Sequence, residues 1–262
     1  MRQLFSICMA LVGCAPLKAV SVTAEAGERL AVYEPELRYS ERTCRLLVAA
    51  HLGSKCPASV PRWTQALEML TSYSRQLGRV ANAEPPRVSD DVQRALDAAG
   101  SAHWLALKDD TDKNMAKVAS GVTAFLAREA SRAAARQAIR EVGSELDEVV
   151  KLLVAHLEVE RKQLVFARCR LACASGRPEN TTLCPETVAS ECGAPEAGAA
   201  LAFTQVLFEL EDQDRRLGDA QQAFRAFGAA HARLYHNLNA IDSDAVYRSI
   251  VEDVSTALKA GG

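Results

Sequence analysis

Between residues 197 and 238 the chain repeats apolar side chains every seven residues on two offset positions, and this pattern limits its fold more than any other. Phe203, Leu210, Leu217, Phe224, His231 and Leu238 share one position, while Val206, Gln213, Ala220, Phe227 and Leu234 share the other. Two such seams on one helix are what packing against a second long helix requires. The expected partner lies upstream. Ile139, Val142, Leu146, Val149, Leu153 and Leu157 recur at three- and four-residue steps, and Val150, Leu157, Leu164 and Leu171 extend the stripe at seven-residue intervals. The segment between the stripes, about 175–196, is of modest length and rich in Gly, Pro, Asn and Thr. Helices joined by so short a connection are expected to pack antiparallel.

The upstream helix begins near Asp110 to Asp112, and unbroken over 112–174 it would span roughly 90 Å. Gly143, followed by Ser144 and Asp147, offers a restart, so a bend or break is expected there. Shorter helices fill the remainder. One over 39–52 ends at Gly53. Another, capped by Ser59 and starting near Pro61, gathers Trp63, Leu67, Leu70, Leu77 and Val80 on one face. Residues 82–86 form a proline-marked break. Ser89 caps a helix with Asp90 and Asp91 in its first turn and Val92, Leu96 and Ala99 on its buried face. After a turn at 241–244, Val246, Ile250, Val251, Val254 and Leu258 face the core in a last helix. The sequence holds no internal repeat and no strand pattern. Alanine, leucine and arginine dominate and aromatics make only 5%, a composition that suits helices. The expected fold is all-α: an elongated helical bundle of two long antiparallel helices with shorter helices packed alongside.

The first residues follow different rules. Arg2 is positive, 4–12 is mostly apolar, and the small Gly13 precedes Cys14, as in an export signal. The apolar run falls well short of the roughly 20 residues needed to cross a hydrocarbon core as a helix. Leu11-Val12-Gly13-Cys14 resembles a bacterial lipobox, the site at which lipoproteins are lipidated and cut. The resemblance implies that 1–13 is a lipoprotein signal peptide cleaved between Gly13 and Cys14. It further implies that Cys14 becomes the N-terminus carrying diacylglycerol and a further acyl chain such as palmitate. Two chains hold a protein stably, at roughly 0.8 kcal/mol per buried CH₂. Secretion with cleavage near Ala19 is the alternative. In Gram-negative lipoproteins an aspartate after the cysteine favours the inner membrane. Ala15 stands there in this chain, which implies an outer-membrane lipoprotein facing the periplasm or the exterior.

Behind Cys14, residues 14–27 show little periodicity and are expected to form a lipidated tether, leaving 28–262 as a single helical-bundle domain. Within that domain, the run Tyr73-Ser74-Arg75-Gln76-Leu77-Gly78-Arg79-Val80-Ala81 resembles a tyrosine–leucine–alanine pattern of uncharacterised helical bacterial lipoproteins. No activity comes with that resemblance.

Of the 8 cysteines, Cys8 leaves with the signal and Cys14 takes lipid. Cys44, Cys56, Cys169, Cys173, Cys184 and Cys192 remain, an even set in an exported chain, which argues for disulfides. Clustering suggests Cys44–Cys56 as a local loop, with Cys169–Cys192 and Cys173–Cys184 as a nested clasp tying the 175–196 loop. A four-cysteine zinc site is the alternative, although the spacing departs from usual zinc patterns.

No catalytic residue, metal site or cofactor is assigned beyond the covalent lipid on Cys14. His51, His103, His156, His231 and His236 include no pair at the i, i+4 spacing of a helical metal site, and His231 sits on an apolar seam, where a hydrogen-bonded core histidine is expected. Asp110, Asp112 and Asn114 imitate the start of a calcium loop, but Met115 stands where glycine is needed and Gly121 where glutamate is needed. The carboxylates Glu158, Glu160, Glu209, Glu211, Asp212 and Asp214 interleave with Arg161, Lys162, Arg215 and Arg216, which reads as a solvated helix face. A net charge of −2 argues for neither nucleic acid nor anionic lipid as a partner. The expected role is a non-enzymatic scaffold or partner-binding module at the envelope, with membrane lipid and an envelope protein as partners. Self-association is a further option, because Phe203, Phe208, Phe224 and Phe227 cannot share one narrow stripe. The alternative function is an envelope enzyme or a ligand-binding bundle with an unrecognised site.

Overall fold

The computed structural model describes residues 17–38, 62–82, 110–126, 131–174 and 200–260. Every element among the described residues is helical. In chain order these are α1 (Lys18–Arg29), a 3-10 turn (Leu30–Tyr33), α2 (Glu34–Leu37), α3 (Arg62–Ala81), α4 (Asp110–Leu126), α5 (Arg132–Ala174), α6 (Ala200–His236), a 3-10 turn (Leu238–Ala240) and α7 (Asp244–Ala260). The packed helices form a bundle without strands among the described residues. The expected helices over 39–52 and from Ser89 lie outside them.

The chain divides into two compact units made of non-contiguous stretches, 1–31 with 65–152 and 223–262, and 32–64 with 153–222. In the first unit the stripes behave as the seven-residue pattern requires. Ile139, Val142, Leu146 and Val149 of α5, and Phe224, Phe227, His231 and Leu234 of α6, are all buried. Gly143 of α5 lies against Tyr235 and Gly228 of α6 against Val150, so the two helices run antiparallel here. In the second unit Leu153, Leu157, Leu164 and Leu171 face Leu210, Leu217 and Ala220 in the buried layer. Arg161 Nε donates to Asp214 at 2.9 Å and Arg168 Nη2 to Glu211 at 3.0 Å, which repeats the antiparallel order.

Gly143 does not break α5, which continues through it for 43 residues. A Cβ at this position would overlap the Tyr235 ring, so the glycine permits close approach rather than a bend. The helix instead begins at Ser131, whose hydroxyl accepts the Ala134 N–H at 3.1 Å, an N-cap bond.

The tether expected over 14–27 also differs from what residues 17–27 form. Leu17 is buried and its N–H donates to Ala81 O at 3.2 Å. Ala19, Val20, Thr23, Ala24, Ala26 and Gly27 make the buried face of α1. That face is built largely of small side chains, which lets helix backbones come close. Lys18 Nζ stands 6.0 Å from the Tyr247 ring centroid of α7, and Gly27 meets Ser74 of α3 and Phe227 of α6.

Glycine positions in the two units should respond oppositely to alanine. A methyl at Gly27 would overlap the Ser74 side chain and Phe227, so Gly27→Ala is expected to cost about 1–3 kcal/mol of overpacking. Gly218 meets nothing within 4 Å, and Gly218→Ala is expected to stabilise by roughly 1 kcal/mol through helix propensity. Urea unfolding midpoints should therefore move in opposite directions; equal shifts would contradict the packing at Gly27.

Candidate functional site

The six-cysteine disulfide framework needs correction. Among the described residues no disulfide links two cysteines. Cys44, Cys56, Cys184 and Cys192 lie outside those residues, and only the backbone of Cys173 is described, within α5. Cys169 is 3% exposed and is one half of a disulfide whose other half falls outside the described side chains. At this end of α5 Leu164, Ala167, Leu171 and Ala172 are buried, and the nested pairing itself lies outside the described side chains. Gly13 and Cys14 also lie outside the described residues.

Three polar constellations sit among the apolar stripes. In the first unit Tyr73 Oη and His231 Nε2 are 2.9 Å apart. Both are buried, and the rings of Phe125 and Phe227 stand 5.8 Å from Tyr73 and 6.1 Å from His231. Burial pushes the His231 imidazole down to about 4, with Asp147 opposing weakly, and burial raises the Tyr73 phenol well above its usual value. Both groups are therefore neutral at ordinary pH. His231 Nδ1 has no hydrogen-bond partner among the described residues. Buried between aromatic rings, the two groups form a core hydrogen bond, as the seam position of His231 implies.

The second unit holds the other two. Glu160, read from sequence as part of a solvated face, is 3% exposed. Its place between Leu157 and Leu164 on the α5 stripe carries it inward. His156 Nε2 lies 3.7 Å from its carboxylate and 3.4 Å from Leu37 O, and the His156 ring stacks on Trp63 at 4.6 Å. Nothing in the charge pattern around 158–162 marks Glu160, although its spacing from Leu153, Leu157 and Leu164 does.

The third is a recess of about 310 Å³ between α2 and α6. Glu209, Asp212, Gln213 and Arg216 project into it at three- and four-residue steps along α6, the spacing that puts side chains on one face. Phe208 at the lip is 67% exposed. Pro35 and Glu36 of α2 complete the wall. Asp212 is held below the usual carboxylate range by hydrogen bonds from Arg215 at 2.7 Å and Arg216 at 2.8 Å. Nearby Tyr33 is raised by burial, then by the charges of Asp219 and Glu36. Gln213 is 6% exposed, and its Oε1 has no hydrogen-bond partner among the described residues.

No family model, no curated protein and no solved structure matches the chain. Its chemistry must therefore be argued from these residues alone. Among the described residues no group of three or more His, Cys, Asp and Glu side chains is arranged to hold a metal ion, and no helix is long and apolar enough to cross a membrane.

Proposed function

We propose that the chain is an envelope lipoprotein, anchored through lipid on Cys14, whose helical body is a non-enzymatic module for binding a partner protein. The anchor rests on Leu11-Val12-Gly13-Cys14 behind Arg2 and an apolar run, with Ala15 directing it to the outer membrane. The observation that carries the binding role is the distribution of exposed apolar side chains. Val32, Val159, Phe166 and Phe208, the large exposed hydrophobics among the described residues, all belong to the second unit. Exposed apolar groups mark an interaction surface where they form a contiguous patch, and we assign such a patch to the second unit. The second unit is accordingly the binding part, and the first, with its enclosed Tyr73–His231 core, the supporting part. The recess beside Phe208 favours a ligand-binding role as the second reading.

Fractionation of a bacterial host expressing the full chain tests the anchor. Wild-type protein is expected in the membrane fraction and Cys14→Ser in the soluble fraction. Retention of the variant on membranes would overturn the anchor, since the remaining chain would then hold itself there.

A further inference from the structure

We infer that the end of the first unit formed by Leu17, Asn82 and the α6–α7 turn over 237–243 is a membrane-facing surface, seated on phospholipid headgroups. The inference rests on the proposed lipid at Cys14 and concerns what that lipid does to the folded body. Only Ala15 and Pro16 stand between Cys14 and Leu17, so full extension of the chain places the two at most roughly 11 Å apart. The headgroup layer on each side of a bilayer is itself roughly 5–8 Å deep. A Cys14 whose acyl chains are buried beneath that layer therefore leaves Leu17 little clearance above it.

The start of α1 does not yield to lengthen this leash. Leu17 is 1% exposed, its N–H donates to Ala81 O at 3.2 Å, and Val20 behind it is buried. Unwinding the first turn of α1 would bring both side chains into water, which the hydrophobic effect opposes. A free tether over 14–27 would have reached roughly 45 Å. The packing of α1 removes most of that reach.

The neighbours of Leu17 decide which surface comes down with it. Ala81 closes α3, and the exposed Asn82 follows, its Oδ1 accepting from Ser21 Oγ at 3.4 Å. Lys18 Nζ stands 6.0 Å from the Tyr247 ring centroid. From Tyr247 the backbone leads straight to the turn, since Tyr247 N–H donates to Ser243 O at 3.1 Å and Ser243 N–H to Ala240 O at 2.9 Å. Arg136, near the start of α5, donates to Asp242 of the same turn at 2.9 Å. Asn237, Asn239 and Ala240 are exposed there. Inserted acyl chains supply the hold, so the contact does not depend on headgroup charge. Glu148, also exposed, lies farther from this end, roughly 18 Å along the α5 axis from Arg136.

The test is photo-crosslinking of the full chain, extracted from a bacterial envelope and reconstituted in phosphatidylcholine vesicles. A benzoylphenylalanine is placed at one exposed position at a time: Asn82, Ala240 or Glu148. Lipid adducts at Asn82 and Ala240 are expected to exceed those at Glu148 severalfold. Inserting about 20 residues of Gly and Ser after Ala15, which adds roughly 25 Å of flexible reach, should lower the Asn82 and Ala240 adducts severalfold while the protein stays on the vesicles. The mass of the N-terminal peptide from the same preparation separates the two claims. An unmodified Cys14 would overturn the anchor and this inference together. A lipidated Cys14 with equal adducts at all three positions, with none at Asn82 and Ala240, or with adducts unchanged by the insertion would overturn this inference alone.

Discussion

Tyr73→Ala is expected to lower the unfolding free energy by about 3–5 kcal/mol, the range for deleting a fully buried aromatic side chain. The ring is enclosed by Phe125 and His231, so its removal leaves a cavity and takes away the hydroxyl 2.9 Å from His231 Nε2. Tyr73→Phe separates the two contributions. It keeps the ring and leaves both His231 nitrogens without a partner among the described residues, because Nδ1 already has none. The expected cost is about 1–3 kcal/mol, that of an unsatisfied buried polar group. Urea unfolding of the two variants checks the order. A Tyr73→Phe protein as stable as wild type would show that the hydrogen bond contributes nothing to the core.

The second large effect is in the pH dependence of stability. His231 titrates near 4 in the folded protein against 6.5 for the unperturbed imidazole, because burial disfavours its charged form. Between those values the unfolded chain takes up a proton that the folded chain refuses. The associated stability is complete above pH 6.5 and is lost as pH falls toward 4. At roughly 1.4 kcal/mol per pH unit the loss amounts to about 3 kcal/mol. Carboxylates such as Glu145, whose titration is lowered chiefly by the Ser144 hydroxyl, lose their contribution at still lower pH. Comparison with His231→Gln isolates the imidazole, since glutamine keeps a polar side chain but does not titrate. The stability difference between wild type and variant should shift by about 3 kcal/mol in favour of the variant between pH 7 and pH 4. A difference independent of pH would mean that His231 is solvated.

What could be read from the chain and what could not follow a physical rule. Long stripes of Leu, Ile, Val and Phe announce themselves, and the α5 and α6 seams are buried as their spacing requires. The α1 face is hidden because Ala19, Ala24, Ala26 and Gly27 add little apolar area each, and pack by closeness rather than by hydrophobic mass. Gly143 misleads in the opposite sense. Glycine is usually a breaker, but here it makes room for Tyr235, a contact 92 residues away that no local window contains. Glu160 reads as surface by its type and as core by its position, and position prevailed.

The recess was the least legible feature. Gln213 is visible as a polar interruption of an apolar seam. Its neighbour Glu36, however, comes from a four-residue helix far upstream, so only folding brings the two together. The proposed lipobox, Leu11 to Cys14, is the reverse case, a local pattern that lies in a few adjacent residues.

Lipid at the N-terminus is the central functional claim, and mass spectrometry of the mature N-terminal peptide addresses it most directly. Protein extracted from a bacterial envelope with detergent is expected to begin at Cys14 and to carry the mass of a diacylglycerol with or without a further acyl chain. An N-terminal peptide that begins at any other residue, or an unmodified Cys14, would contradict it.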